Sequence, residues 1–257
     1  MINKILFIGT IMLLLVLGSQ AQTAREIISK SNKAIETNAM EMLSTLNIYN
    51  PKGDVRVRQI ATATKKFGEV SKTIIRFTAP PDVTGTTMLI HDFENRDDDM
   101  WIYLPALRKS RRIVSSEKGN NFMGSEFTNS DMSVPNIDDF DYKLLSESII
   151  EGKACYTIES VPKNEQIAGN YGTKRKVSYI DKTNFLALKV EHYDLKNQLK
   201  REQIIADYRK HDNGKWFAYA MEMKNLQNGR RSVLNVDAFQ NSSTMTEEQF
   251  SPAMLDR

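Results

Sequence analysis

From about residue 40 to residue 240 the chain repeats one pattern. Runs of roughly eight to twelve residues, rich in Val, Ile, Thr, Tyr and Phe, alternate with short groups of turn residues. Such runs have a period of two, which suits strands with one face on a core and does not suit helices. Strands are expected near 40–49, 54–66, 70–78, 85–93, 99–104, 109–115, 140–150, 153–161, 173–181, 186–194, 199–209, 215–225 and 231–240. The turns between them include Pro51-Lys52-Gly53-Asp54, Glu151-Gly152, Asp212-Asn213-Gly214 and Asn228-Gly229, residue types that accept positive φ or cap a turn. So many successive strands at short spacing imply a mainly β fold, one antiparallel meander that must curl or close to hide its edges.

Two segments sharpen this reading. In KWFAYAMEMK, Phe217, Tyr219, Met221 and Met223 share one face of a strand, and Trp216, Ala218, Ala220 and Glu222 share the other. In DMWIYLP, Met100, Ile102 and Leu104 oppose Trp101 and Tyr103, so this strand is apolar on both sides and must be covered on both.

The exceptions to period two are few. Ile27, Ile28, Ser31 and Ile35 recur at helical spacing after Thr23 and Glu26, whose spacing is that of a capping box; this predicts an amphipathic helix of about a dozen residues. Residues 116–139 show no clear period and read as a long loop, a feature more often functional than idle. At the C-terminal end, Thr244 and Glu247 offer another capping-box spacing, and Phe250, Met254 and Leu255 an apolar tail that would dock on the domain.

The first residues follow a separate rule. Lys4, the apolar run Ile5 to Leu17 and then Gly18-Ser19-Gln20-Ala21 describe a secretory signal peptide cleaved after Ala21. The alternative is an uncleaved anchor, but thirteen helical residues reach only about 20 Å against a hydrocarbon core of about 30 Å. The expected organisation is a leader over 1–21 and one domain over 22–257. Cys155 is the only cysteine, so the exported fold has no internal disulfide and must rest on its core. No cysteine stands at the cleavage site to carry a lipid, and the mature protein is expected in the periplasm of a diderm bacterium. A net charge of +3 does not suit a nucleic-acid binder.

Catalytic signatures are missing: GxSxG, HExxH, GxxxxGK[ST] and GxGxxG do not occur. His91, His192 and His211 stand apart from one another and from Cys155, so no metal or Cys–His site is expected. Asp97-Asp98-Asp99 lacks the spacing of a calcium loop and reads as a solvated turn. These observations point to a protein that is not an enzyme and needs no cofactor. ALRKSRRI gathers Arg108, Lys109, Arg111 and Arg112; it is either a solvated hairpin or a patch for an anionic membrane or acidic partner. The 12 methionines either fill the core or help form an adaptable apolar wall.

At DMWIYLPALRKSRRI, followed by GNNFMGSEFTNSDM, the chain resembles the outer membrane lipoprotein-sorting protein family of the lipoprotein-carrier superfamily. APPDVTGTTML upstream, and Phe250 and Leu255 downstream, resemble the same family. Asn129 and Ser130 depart from it, standing where the family tends to carry an aromatic residue and an acid. The resemblance implies an unclosed barrel, a strongly curved antiparallel sheet whose concave apolar face is plugged by helices. It also implies a soluble carrier, read here as a monomer, that shields acyl chains of lipoproteins or lipids and passes them to a membrane transporter or outer-membrane acceptor. A lipid-sensing or accessory subunit of an envelope complex is the alternative. Trp101, Tyr103, Phe122, Met123, Phe127, Phe217, Tyr219 and Met221 are the residues expected to line the acyl cavity. Arg108, Lys109, Arg111 and Arg112 are those expected to dock on a membrane or partner.

Overall fold

A computed structural model describes residues 23–255 apart from Asn95. The expected leader over 1–21 lies outside the described residues. Helix α1 spans 23–35. Strands β1 (Ala39–Tyr49), β2 (Val55–Phe67), β3 (Val70–Ala79), β4 (Thr87–Phe93), β5 (Asp99–Leu104) and β6 (Lys109–Ile113) follow as hairpins. Residues 114–139 then carry short 3-10 turns at Ser115–Glu117, Phe122–Gly124, Asn129–Met132 and Ile137–Asp139. The second run is β7 (Phe140–Leu144), β8 (Ser148–Ile150), β9 (Lys153–Pro162), helix α2 (Glu165–Tyr171), β10 (Arg175–Asp181), β11 (Ala187–Tyr193), β12 (Leu199–Lys210), β13 (Trp216–Asn225) and β14 (Arg231–Gln240).

All these strands form one antiparallel sheet in the order β6-β5-β4-β3-β2-β1-β14-β13-β12-β11-β10-β9-β7, with β8 also pairing β9. The first and last strands meet in its middle, where Leu46 faces Leu234. The expected strands near 40–49 and 231–240 are thus neighbours, a long-range pairing that local periodicity does not encode. The expected strand over 140–150 is two strands, β7 and β8, broken between Leu144 and Ser148.

The sheet is an unclosed barrel. Laid flat at about 4.8 Å per strand, its two edges would stand roughly 55–60 Å apart. Yet Gly119, just past the edge strand β6, packs against Gly172 at the end of α2, near the opposite edge. A Cβ at Gly119 would lie 2.8 Å from both the Cα and the N of Gly172, and Gly172 itself holds a left-handed φ of +63°. Only glycine at both positions permits this backbone approach. The sheet must therefore curl until the 114–139 segment, which joins edge β6 to edge β7, spans the opening.

The concave face carries the main core. Leu46, Ile60, Phe77, Met88, Met100, Ile113 and Met223 pack with Phe122 and Phe127 of the spanning segment. Further round, Ile158 and Ile180 pack with Ala24 and Ile27 of α1. The convex face of β2–β5 is covered separately. Ala63, Ile74 and Leu89 pack there with Phe250 and Leu255, and Trp101 and Tyr103 pack against them. This is why DMWIYLP is apolar on both sides: Met100 and Ile102 look inward, while Trp101 and Tyr103 lie beneath the C-terminal tail. That tail is not an α-helix but two 3-10 turns, Glu247–Phe250 and Pro252–Met254. Its capping box uses Thr246 and Gln249, not Thr244 and Glu247; the Thr246 N–H donates to Gln249 Oε1 at 2.8 Å.

Helix α2 has no counterpart among the expected elements. Its seven residues are too short to show a period. Its signals are local: Asn164 accepts the Ile167 N–H at 2.9 Å as N-cap, and Gly172 closes the other end.

Candidate functional site: the concave face

The concave face is plugged at both ends and partly open between. The 114–139 segment fills the β1–β6 end, and α1 lies over β9 and β10. Between them the strip formed by β12, β13 and β14 is half-buried at Ile205, Met221 and Leu234, beside the fully buried Leu46 of β1. Strand register places Ile205, Met221, Leu234 and Leu46 across this strip in one row. Towards the β12–β13 turn, Phe217, Tyr219, Phe239 and His211 form an aromatic group. Phe217 and Phe239 have ring centroids 4.4 Å apart, as do His211 and Phe239. Arg209 stacks on Tyr219 at 3.8 Å and is itself paired with Asp207.

The spanning segment is fixed in place by charge. Glu126 is 1% exposed and Arg201 4% exposed, so both ions are held inside. Arg201 Nη1 donates to the Glu126 carbonyl at 2.9 Å and to Asp131 Oδ2 at 2.8 Å. Asp131 Oδ2 also accepts the Thr128 N–H at 2.8 Å. Glu126 Oε2 accepts from Asn225 Nδ2 at 2.8 Å, and the Glu126 N–H donates to Ser232 Oγ at 2.9 Å. Arg230 Nε lies 2.9 Å from Glu126 Oε1 as an ion pair, without the alignment of a hydrogen bond. These contacts tie the segment to β12, β13 and the β13–β14 hairpin.

Burial alone would push the Asp131 carboxyl up, but the Arg201 guanidinium, helped by His192, Lys176 and the Thr128 N–H, holds it well below the usual carboxylate range. Burial, together with Arg201 and Lys176, drives His192 well below its ordinary value, so this imidazole is neutral at neutral pH. Burial also lowers Lys176. None of these residues drew notice as a site in the sequence. The available signal was parity: Lys176, His192 and Arg201 face one another across β10, β11 and β12. They occupy the row beside Ser178, Val190 and Gln203, on the same inward face.

A second polar contact lies where the segment crosses β4 and β5. Ser133 Oγ donates to Asp98 Oδ2 at 2.7 Å, and the Val134 N–H donates to Asp92. Burial, and then the Asp98 charge, raise Asp92 to about 7. The cleft beside it, lined by Asp98, Lys118, Ser130, Asn136 and Tyr171, holds about 20 Å³. That is room for a water molecule and far too little for an acyl chain. Among the described residues no group of His, Cys, Asp and Glu is arranged to hold a metal.

The expected cavity residues are thus distributed over three places. Phe122, Met123, Phe127 and Met221 meet in the concave core. Phe217 and Tyr219 join the aromatic group at the other end of the half-buried strip. Trp101 and Tyr103 lie on the opposite side of the sheet, with the C-terminal tail over them, and do not face this strip. The physical reason is the sheet's pleat: neighbours in one strand look to opposite sides, and nothing in DMWIYLP says which side is concave.

The expected basic patch is divided in the same way. Arg108 occupies the tight turn at φ 47°, and Lys109 to Arg112 are on β6, where side chains alternate. Lys109 and Arg111 face one side; Arg112 faces the other. Arg111 pairs with Glu117 at 2.7 Å, and Arg112 pairs with Asp99. Two of the four cations thus carry an acidic partner, and all four are exposed.

A family model described as "Uncharacterized protein" matches residues 69–257. An outer membrane lipoprotein-sorting protein domain from Vibrio parahaemolyticus superposes on 92% of this chain and 100% of its own, at 29% identity and a TM-score of 0.86. The chain belongs to the family that this family model describes, and it shares the fold of the outer membrane lipoprotein-sorting domain. A DUF1329 family protein from Desulfovibrio piger has the same fold, with 27% identity, coverage of 92% of this chain and 99% of that one, and a TM-score of 0.84. A LolA superfamily protein from Nitrosomonas europaea is 17% identical over 89% of this chain and 97% of its own, with a TM-score of 0.70, a likeness of fold. No curated protein matches the chain. The fold shared with these structures is the curled, unclosed sheet described above.

Proposed function

We propose that the protein is a periplasmic carrier that takes acyl chains of a lipoprotein or lipid onto the half-buried strip of its concave face and releases them to an acceptor at the outer membrane. The observation that carries this reading is that strip: Phe217, Tyr219, Met221, Leu234 and Phe239 stand on the inner face of a curled sheet, each only half-buried, between two separate covers. An acyl chain in water costs about 0.8 kcal/mol per CH₂, so even partial burial against such a wall is a strong attraction. Loose, adaptable walls of Met and aromatic residues let the chain leave again.

The two covers differ in how they are held, and this sets how room is made. The spanning segment is pinned by buried ions, whereas α1 rests on Ala24, Ile27 and the exposed pair Arg25–Asp138, with Ile35 near its end still 38% exposed. In this reading α1 yields, and the strip beside it widens for the ligand. The spanning segment remains the fixed wall.

The test is uptake of a fluorescent acyl probe by the purified mature protein, followed by addition of acceptor liposomes. Binding followed by transfer supports a carrier. Binding without transfer favours a sensing role, and absence of binding defeats both. The Tyr219→Asp variant, if folded by circular dichroism, should bind the probe at least several-fold more weakly; unchanged affinity would remove the aromatic group from the binding strip.

A further inference from the structure

Arg58 is an inward-facing cation without the acceptors that hold Arg201. Register sets it opposite Leu46, and Arg56 opposite Ile48, so both arginines are on the inward face of β2, in rows that begin with core residues. The Nε and Nη1 of Arg58 are buried and have no hydrogen-bond acceptor, and its guanidinium carbon stands 6.0 Å from the Phe77 ring centroid. Buried donors are almost always bonded, since leaving them without an acceptor is costly. No ion pair or hydrogen bond joins Arg58 to a carboxylate among the described residues. Glu126 is taken by Asn225 and Arg230, and Asp54 accepts from Asn50 Nδ2 at 2.8 Å. Arg56, two residues away, is exposed and has no ion-pair partner among the described residues.

The place is as informative as the missing acceptor. Residues 55–57 are exposed, whereas Ile60 is buried in the core, so Arg58 marks the line where the concave face meets solvent. Two same-face strand residues stand about 7 Å apart, close enough for two guanidinium forks to converge on one oxyanion. We propose that Arg58, with Arg56 beside it, is an anion receptor at the mouth of the concave face that takes a phosphate group. On the carrier reading, on which this inference rests for its source, the phosphate is the headgroup of an amphiphile whose tails reach the apolar wall; free phosphate is the other source. Phosphate is favoured because its several equivalent oxygens satisfy both forks, and guanidinium donors bind it in pairs.

The experiment compares three probes at one ionic strength, by calorimetry with the mature protein. They are dihexanoyl phosphatidic acid, dihexanoylglycerol with the same tails and no charge, and inorganic phosphate. The phosphatidic acid should bind about ten-fold or more tightly than the uncharged lipid, and that advantage should fall as salt rises. Arg58→Met should abolish the advantage, Arg56→Met should reduce it, and neither should change binding of dihexanoylglycerol. Because Arg58→Met removes a cation without an acceptor, the thermal midpoint should hold or rise, which separates loss of the site from loss of the fold. Equal binding of both lipids, or an advantage that survives Arg58→Met, overturns the receptor and leaves the carrier reading intact. If neither lipid binds but phosphate does so in an Arg58-dependent way, the receptor stands for free phosphate and the carrier reading fails. If nothing binds, both fail.

Discussion

The substitution Arg201→Met asks whether the spanning segment is held by its buried ions. Methionine keeps most of the volume and removes the guanidinium that bonds Asp131 at 2.8 Å and the Glu126 carbonyl at 2.9 Å. The Asp131 carboxylate is then left buried without its strongest counter-charge. Breaking a buried pair in this way costs about 3–5 kcal/mol, a large part of the roughly 5–15 kcal/mol that stabilises an ordinary domain. At about 2–4 °C per kcal/mol for a chain of this size, the melting midpoint should drop by about 6–20 °C at pH 7. The pH dependence supplies the stricter test. In the wild type the folded-state value of Asp131 is lowered, so its contribution is present above the unfolded value near 3.9 and is lost as pH falls further. In the variant, burial is no longer outweighed and the carboxyl moves up, so the destabilisation is largest at neutral pH and shrinks as acid protonates it. Protonation of His192 on the same side adds to this recovery. Adding Asp131→Asn to Arg201→Met should restore part of the stability at pH 7, because the buried carboxylate is gone and the amide oxygen can still accept the Thr128 N–H, although Lys176 loses its counter-charge. Calorimetric melts from pH 4 to pH 8 on the two variants decide the matter. A midpoint lowered by less than about 2 °C, or a penalty that does not change with pH, would refute the idea that these ions pin the segment.

Three further outcomes follow from other contacts. Asp92, raised to about 7, binds more protons folded than unfolded between pH 4 and 7, so stability falls as pH rises through that window; Asp92→Asn, which keeps an acceptor for the Val134 N–H, should flatten this slope and raise the midpoint at pH 8. Gly119→Ala would place a Cβ 2.8 Å from the backbone of Gly172, so a loss of about 1–3 kcal/mol in urea unfolding is expected, and a neutral result would show that the two ends of the barrel are not in contact there. Phe250→Ala should cost about 3–5 kcal/mol, since the ring is fully buried over Ala63, Ile74 and Leu89; proteolysis confined to the residues after 240 would confirm that the tail is released first.

The strands were legible in the sequence because each carries its own period, and DMWIYLP even announced that it was covered on two sides. The direction of curl was not legible. It depends on Gly119 meeting Gly172 and on β1 meeting β14, contacts between residues far apart in the chain. That gap left the side of Trp101 and Tyr103 open: their face is apolar by sequence, but only the fold puts it under the C-terminal tail. The basic run at 108–112 was visible as composition, yet composition is blind to the alternation of β6, which divides it, and to Glu117 and Asp99, which neutralise two of its members. The ion cluster went unread for the opposite reason. Lys176, His192 and Arg201 each look like surface residues of ordinary strands until register aligns them in one inward row. Arg58 was hidden in the same way, as one more charge in VRVRQI.

The pairing of β1 with β14 has a kinetic side. Each half of the sheet is a local meander, β1 to β6 on one side and β7 to β14 on the other, and can zip from hairpin to hairpin. The strands of the two halves pair only along Leu46–Leu234 and its neighbours, between the first strand and the last. Such a seam closes against the entropy of nearly the whole chain, and contacts of this range slow folding. A chain lacking β14 would therefore hold two unjoined half-sheets, each exposing an apolar face and a free strand edge. The newly made protein is accordingly most vulnerable to aggregation and proteolysis until its final strand arrives, and a delay between hairpin formation and burial of Met223 should be visible in pulse-labelled hydrogen exchange.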